Sequence, residues 1–478
     1  MIILTTLLVY FAVLLFVSRL TGGRSSSNAT FFTADRHSPW YMVAFGMVGA
    51  SISGVTFVSV PGMVLHSDMT YLQMCLGFIP GYFIVAFLLL PLYYRFGLTS
   101  IYAYLGSRLG PVSYKTGAWF FLLSKMSGAA VAFYVVCALL QRFVFDAWGM
   151  PFAVTATLMV LLIWLYTRRG GIKTLVWTDS LQTLCLFAAL LLIIVHVVES
   201  LGMGIGGAAK AVFNSPMSRV FVFDDWVSRQ NFWKQFLSGV FVVVVMTGLD
   251  QDKMQKNLTC RTLRDAQKDM CTYGFAFLPA NFLFLALGVL LALLAANKGV
   301  ALPTQGDELL PMFAATGSLG TLVMALFTLG IVAASFSSAD SALTSLTTCF
   351  CVDVCGRPAD EKLRHRVHFL MGVVFVVFML VFRAVNSTSV IDAIYILVSY
   401  TYGPLLGLFA FGLFTRRSVN DRLVPLIAVA SPIICFVLDT LANRYLGYKF
   451  GYELLLLNGL LTFCGMWAIK RRNNLSEE

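Results

Sequence analysis

The chain has 478 residues, 59% of them hydrophobic and only 12% charged, with a formal net charge of +11. A charged fraction near half the ~25% of soluble domains excludes a set of water-soluble domains, and chains so poor in charge are not disordered either. The apolar surplus falls in blocks near the ~20 residues that cross ~30 Å of hydrocarbon at ~1.5 Å per residue. Thirteen spans are predicted, near 2–18, 40–64, 70–94, 116–141, 150–167, 174–199, 235–249, 271–296, 319–351, 367–382, 388–415, 423–441 and 451–469. The sequence therefore reads as an all-α polytopic protein of the lipid bilayer.

The basic charge sets orientation. With the N-terminus outside, the connections at 19–39, 95–115, 168–173, 250–270, 352–366 and 416–422 and the tail after 469 lie inside. They carry 24 of the 34 Lys and Arg; the outer connections and their edges carry 9, and Lys125 alone falls within a span. That is the split of the positive-inside rule. It puts the C-terminus in the cytoplasm and leaves nothing to ascribe to nucleic acid, while the lean loops suit a plasma or inner membrane. Arg19 follows the first apolar block and no charged region precedes it, so the block reads as a retained helix rather than a signal peptide. The predicted outer loops lack cysteine, and Cys349, Cys351 and Cys355 stand at an inner span end, so the thiols read as reduced and structural. Asn28 and Asn257 head glycosylation patterns that fall on the inner side.

No cytoplasmic connection has room for an ATPase domain, and no phosphate-binding G-x4-G-K-[ST] occurs. With five His and no nucleophile–base pair on one face, an enzyme is disfavoured. A channel or a transporter driven by an ion gradient remains.

Along the chain, the second span is broken up by Gly49-Ala-Ser-Ile-Ser-Gly54, Thr56, Pro61 and Gly62. Such a run is a weak helix core, and irregular backbone is tolerated at membrane depth only inside protein or along a wet cavity. It serves either an unwound cation site or close helix packing through small residues. Lys125, on the span 116–141, needs a partner: a solute carboxylate, Asp340, or the inner surface reached by snorkelling. Asp179, in Val176-Trp-Thr-Asp179, is either a site carboxylate or a helix cap. On the ninth span Ala334, Ser337, Ser338 and Ser341 share one face at i, i+3, i+4 and i+7, beside Asp340. One carbonyl and three hydroxyls are hard oxygen ligands that suit a hard cation such as Na⁺. Hydroxyls bonded back along the helix are the plainer reading of any one serine.

In these stretches the sequence resembles the sodium:solute symporter family, with its LeuT-type architecture of two inverted five-helix repeats. The likeness is carried by Gly49–Gly62, by Pro91–Arg95 with Tyr104–Arg108, by Gly170–Asp179, by Gly248–Lys256 with Ala266-Gln-Lys, and by Ala334–Ser345. It implies an N-terminal helix (1–20), repeats at 38–200 and 231–416, two further helices (420–470) and a cytoplasmic tail (471–478). It also implies a Na⁺ site made of the carbonyls of Gly49, Ile52 and Ala334 with the hydroxyls of Ser337 and Ser338. Asp179 and Ser341 match a second cation site that some members have, and Asp340 replaces a hydroxyl there. The solute is expected beside Ser53 and Thr56, with Phe57 and Lys125. Sugar-transporting members have polar groups near Thr56, Phe57 and Val243, two of which are apolar here, which speaks against a neutral sugar. Lys125, on a helix that lines the substrate cavity in this family, points to a small organic anion: a monocarboxylate, a vitamin-like acid or an acidic sugar. The expected function is Na⁺-coupled symport by alternating access, the alternatives being a neutral solute, or a channel or sensor on the same fold.

Overall fold

A computed structural model describes residues 2–21, 27–226, 228–315, 317–385, 390–448, 450–451 and 453–469; the predicted tail 471–478 lies outside them. Among the described residues the regular structure is helical, apart from one isolated bridge between Ser38 and Cys260. In chain order the helices are α1 (Ile2–Thr21), α2 (Trp40–Ser51), α3 (Gly54–Gly62), α4 (Tyr71–Arg95), α5 (Pro111–Leu140), α6 (Phe152–Gly170), α7 (Ile172–Ser200) and α8 (Phe232–Gly248). They continue as α9 (Gln251–Asn257), α10 (Leu263–Lys298), α11 (Thr321–Val354), α12 (Glu361–Val385), α13 (Val390–Thr401), α14 (Gly403–Phe414), α15 (Val424–Leu446) and α16 (Leu454–Ala468).

Nine of these are long and apolar enough to cross a membrane, and the bent pairs α2/α3 and α8/α9 bring the number to eleven. The other two predicted spans are present as shorter helices. The span at 388–415 is split at Tyr402, where Gly403-Pro404 starts a new helix and the proline lacks the N–H to continue the old one. The last span shortens to α16.

The two breaks position the site. The pair α2/α3 bends by 59° at Ile52 and Ser53, and α8/α9 bends by 69° at Leu249 and Asp250. Each second half starts on a side-chain cap. Ser53 Oγ accepts from the Thr56 N–H at 3.4 Å, and an Asp250 carboxylate oxygen accepts from the Asp252 N–H at 2.8 Å. If the chain is cut into the two expected repeats, each repeat thus opens with a broken helix.

The second break corrects the expected topology. The connection placed at 250–270 starts with a helix, α9, whose seven residues are all buried although they include Asp252, Lys253 and Lys256. Lys125 is therefore not the only basic residue inside the bundle. Moving these two lysines from the inner connections leaves 24 − 2 = 22 Lys and Arg there against 9 outside.

Helices α2, α7 and α11 pack against one another. Gly49 permits this: a Cβ there would fall deep inside van der Waals contact with the Thr183 side chain of α7. Gly288 of α10 plays the same part for α3, since a Cβ on it would run into the Pro61 carbonyl.

Candidate functional site

A cavity of about 210 Å³ lies where the two broken helices meet. Ser53 and Thr56 line it from the first break, Ser124 and Lys125 from α5, and Asp250, Asp252 and Lys253 from the second break. Phe57 does not line it. Its ring is fully buried on the other side of α3, against Phe284 and Phe327 at centroid distances of 5.4 and 6.1 Å. Val243, expected near it, faces the cavity.

The carbonyls at the end of α2 have no next turn to bond, and the helix dipole makes this end negative. Ser338 of α11 reaches it: its hydroxyl lies 3.1 Å from the Ala50 carbonyl and 3.2 Å from the Ala334 carbonyl. This joins the Gly49–Ile52 segment to the serine stripe in one cluster of oxygen atoms. Ser337 turns to the neighbouring helix and donates to Asp179 Oδ1 at 2.7 Å. Carbonyl and hydroxyl oxygens of this kind fit a hard monovalent cation.

Asp179 is not a helix cap. It lies inside α7, 1% exposed, and its second oxygen forms an ion pair with Lys256 Nζ at 2.7 Å. Asp340, on the same side of α11, accepts from the Tyr166 hydroxyl at 2.6 Å and from the Ser341 hydroxyl at 3.2 Å. All three oxygen-bearing side chains expected at a second cation site are thus buried, but a lysine is paired with one of them.

Two of the three partners expected for Lys125 are corrected. Its ammonium contacts neither Asp340 nor the surface; it bridges Asp250 at 3.1 Å and Asp252 at 2.6 Å. The reason is the second break, which folds the two aspartates back into the bundle. Tyr402 holds Asp250 from the far side, donating at 2.8 Å. Lys253 donates to the Ala50 carbonyl at 2.9 Å, so an ammonium stands next to the α2 terminus. Asp250, Asp252, Lys253, Lys256 and Tyr402 were not anticipated as site residues. Their only signal in the sequence was the motif Gly248–Lys256, which carried the family resemblance without a role.

Sequence comparison decides the family. The sodium:solute symporter family profile matches residues 31–422, most of the chain. The chain belongs to the sodium:solute symporter family. Among the relatives of this symporter, the sodium/sialic acid symporter NanT of Aliivibrio fischeri is 25% identical over 99% of this chain and 94% of its own length. The mouse sodium-coupled monocarboxylate transporter 2 is 25% identical over 82% of this chain and 64% of its own. A solved Na⁺-coupled sialic acid symporter, substrate-bound and outward-open, superposes with a TM-score of 0.83 at 21% identity, covering 98% of this chain and 97% of that one. Mhp1, a nucleobase-cation-symport-1 family transporter, gives 0.52 at 14% identity, covering 93% and 94%. The fold is thus the expected LeuT-like one, and the protein is an integral membrane symporter that couples a solute to Na⁺.

Proposed function

We propose that this symporter moves a small organic acid, one that also carries a hydrogen-bond donor such as a hydroxyl or amide N–H, together with Na⁺ by alternating access. The observation that carries this reading is the unused bonding capacity of the central cavity. Lys253 has three N–H donors and places one on Ala50. Facing the same cavity, Asp252 Oδ1 and Ser124 Oγ are buried without a hydrogen-bond partner among the described residues. Buried polar atoms left in this way are costly unless a ligand satisfies them. An anionic group on Lys253 and a donor on Asp252 meet both needs. Lys125, neutralised by its two aspartates, positions them instead of binding the solute. The substrates of the relatives, sialic acid and monocarboxylates, belong to the same chemical class.

In this reading Na⁺ binds the Gly49, Ile52 and Ala334 carbonyls with Ser337 and Ser338, holding α2 to α11. The membrane is the plasma or bacterial inner membrane, with the N-terminus outside and the C-terminus cytoplasmic. Uptake into proteoliposomes from a panel of carboxylates and their neutral amides tests the solute class. An acid should be accumulated only with a Na⁺ gradient, and Lys253→Met should lower its uptake roughly 10- to 150-fold, the worth of about 1.5–3 kcal/mol for a charged hydrogen bond. Binding of ²²Na⁺ should survive that substitution. Equal uptake of the neutral amide, or normal uptake by Lys253→Met, refutes the assignment.

A further inference from the structure

We propose that the ammonium of Lys256 is a tethered cation that permanently fills the second cation position, so that the symporter binds one mobile Na⁺ per chain. The inference rests on the main Na⁺ site proposed above. Asp179 has two oxygens to offer a cation, and both are engaged: Oδ1 by the Ser337 hydroxyl and Oδ2 by Lys256 Nζ, each at 2.7 Å. Lys256 is 2% exposed and Asp179 1%, so water does not compete for either charge. Breaking such a pair strands one charge in a dry interior, which is far costlier than leaving it intact. A second Na⁺ on Asp179 would have to do that, or sit against a like charge.

The local charges agree. Lys256 lies 2.7 Å from Asp179, so the pair brings no uncompensated charge to draw in a second cation. The main site, which shares Ser337 with this cluster, keeps its oxygens free of Lys256 and remains open to one mobile Na⁺. The acceptors also fit one ion. Asp340 already takes donors from Tyr166 and Ser341, so both its oxygens are engaged without a second ion. Lysine suits the role because its ammonium is a compact point charge on a flexible stem. Helix α9 delivers it from the second broken helix, whereas the carboxylates come from α7 and α11. The tethered cation thus crosslinks the same elements that a free ion would hold together.

The test is ²²Na⁺ binding to the purified full-length protein, with unlabelled Na⁺ as competitor. Wild type should bind one Na⁺ per chain with a Hill coefficient near 1. Lys256→Gln should expose Asp179 to a free ion and raise the count to two, with a Hill coefficient approaching 2. Adding Asp179→Asn to Lys256→Gln should return it to one. Two ions bound by wild type overturn the proposal, as does a folded Lys256→Gln protein that still binds one. If Lys256→Gln does not fold, the wild-type count decides alone. Ser337→Ala with Ser338→Ala, made in the wild-type background, separates the two claims: unchanged Na⁺ binding there refutes the main-site reading and leaves the wild-type count to judge Lys256.

Discussion

Ser338 contacts two main-chain carbonyls at once, one on each of the helices it joins, and Ser337 holds a carboxylate on a third. Two hydroxyls thus link α2, α7 and α11, and in the proposed site they are also ion ligands. Replacing both with Ala should raise the half-saturating Na⁺ concentration about 30- to 150-fold, taking about 1–1.5 kcal/mol for each lost ligand. A Na⁺ titration of uptake reads this directly, and an unshifted curve removes the two serines from the site. In the proposed function the Lys125–Asp252 pair serves stability rather than solute binding. Lys125 is 14% exposed at its side chain and Asp252 2%, so Lys125→Met, which strands two aspartates, should cost about 3–5 kcal/mol in thermal unfolding. Adding Asp252→Asn should cost much less than the sum of the two single changes, because the pair is coupled. Additive losses would mean that the ion pair has no energetic reality.

Among the elements, the smooth apolar helices α5, α7, α10 and α11 were legible because length and hydropathy alone define them. The break between α2 and α3 was legible too, since glycine and serine weaken a helix wherever it lies. The break between α8 and α9 was hidden. Asp250 to Asn257 is polar enough to pass for a loop, and what keeps it in the bundle lies far away in sequence: Lys125, Asp179, and for Gln255 the Phe32 carbonyl and Thr348. Periodicity cannot reveal such partners. For the same reason Ser337, Ser338, Asp179 and Asp340 could be singled out from local pattern, whereas Lys253 and Lys256 could not. Phe57 was misplaced because its side of a nine-residue half-helix depends on the bend. Packing of the half-helices gives a prediction of its own. Gly288→Ala would push α10 into the Pro61 backbone, which cannot rotate away as a side chain would. It should destabilise the protein by about 1–3 kcal/mol. Gly206→Ala, on the short helix Ile205–Phe213 with open space around this glycine, is the control and should be neutral or slightly stabilising. Equal unfolding midpoints for the two variants would contradict this packing.

For the molecule as a whole, Na⁺ is the driving force and, in the proposed site, also the clamp. Each charge moving inward gains about 2.3 kcal/mol per 100 mV, and an ion joining α2 to α11 must raise solute affinity by the factor by which solute raises its own. Saturating Na⁺ should therefore stabilise the purified protein by about 2.7 kcal/mol at a hundred times its dissociation constant, while K⁺ should not. Equal melting curves in the two salts would argue against a specific ion. The charged core has a further consequence, for the order of synthesis. A chain emerges from its N-terminal end, so Lys125 reaches the bilayer 125 residues before Asp250 exists, and Asp179 precedes Lys256 in the same way. Until α9 is made, the nascent first half carries Lys125 and Asp179 without the partners each has in the folded protein, an arrangement that hydrocarbon penalises. The two halves are thus bound to each other before either can rest. A fragment ending near residue 230 should be degraded when expressed alone and recovered when residues 231–478 are produced beside it, as pulse-chase labelling would record.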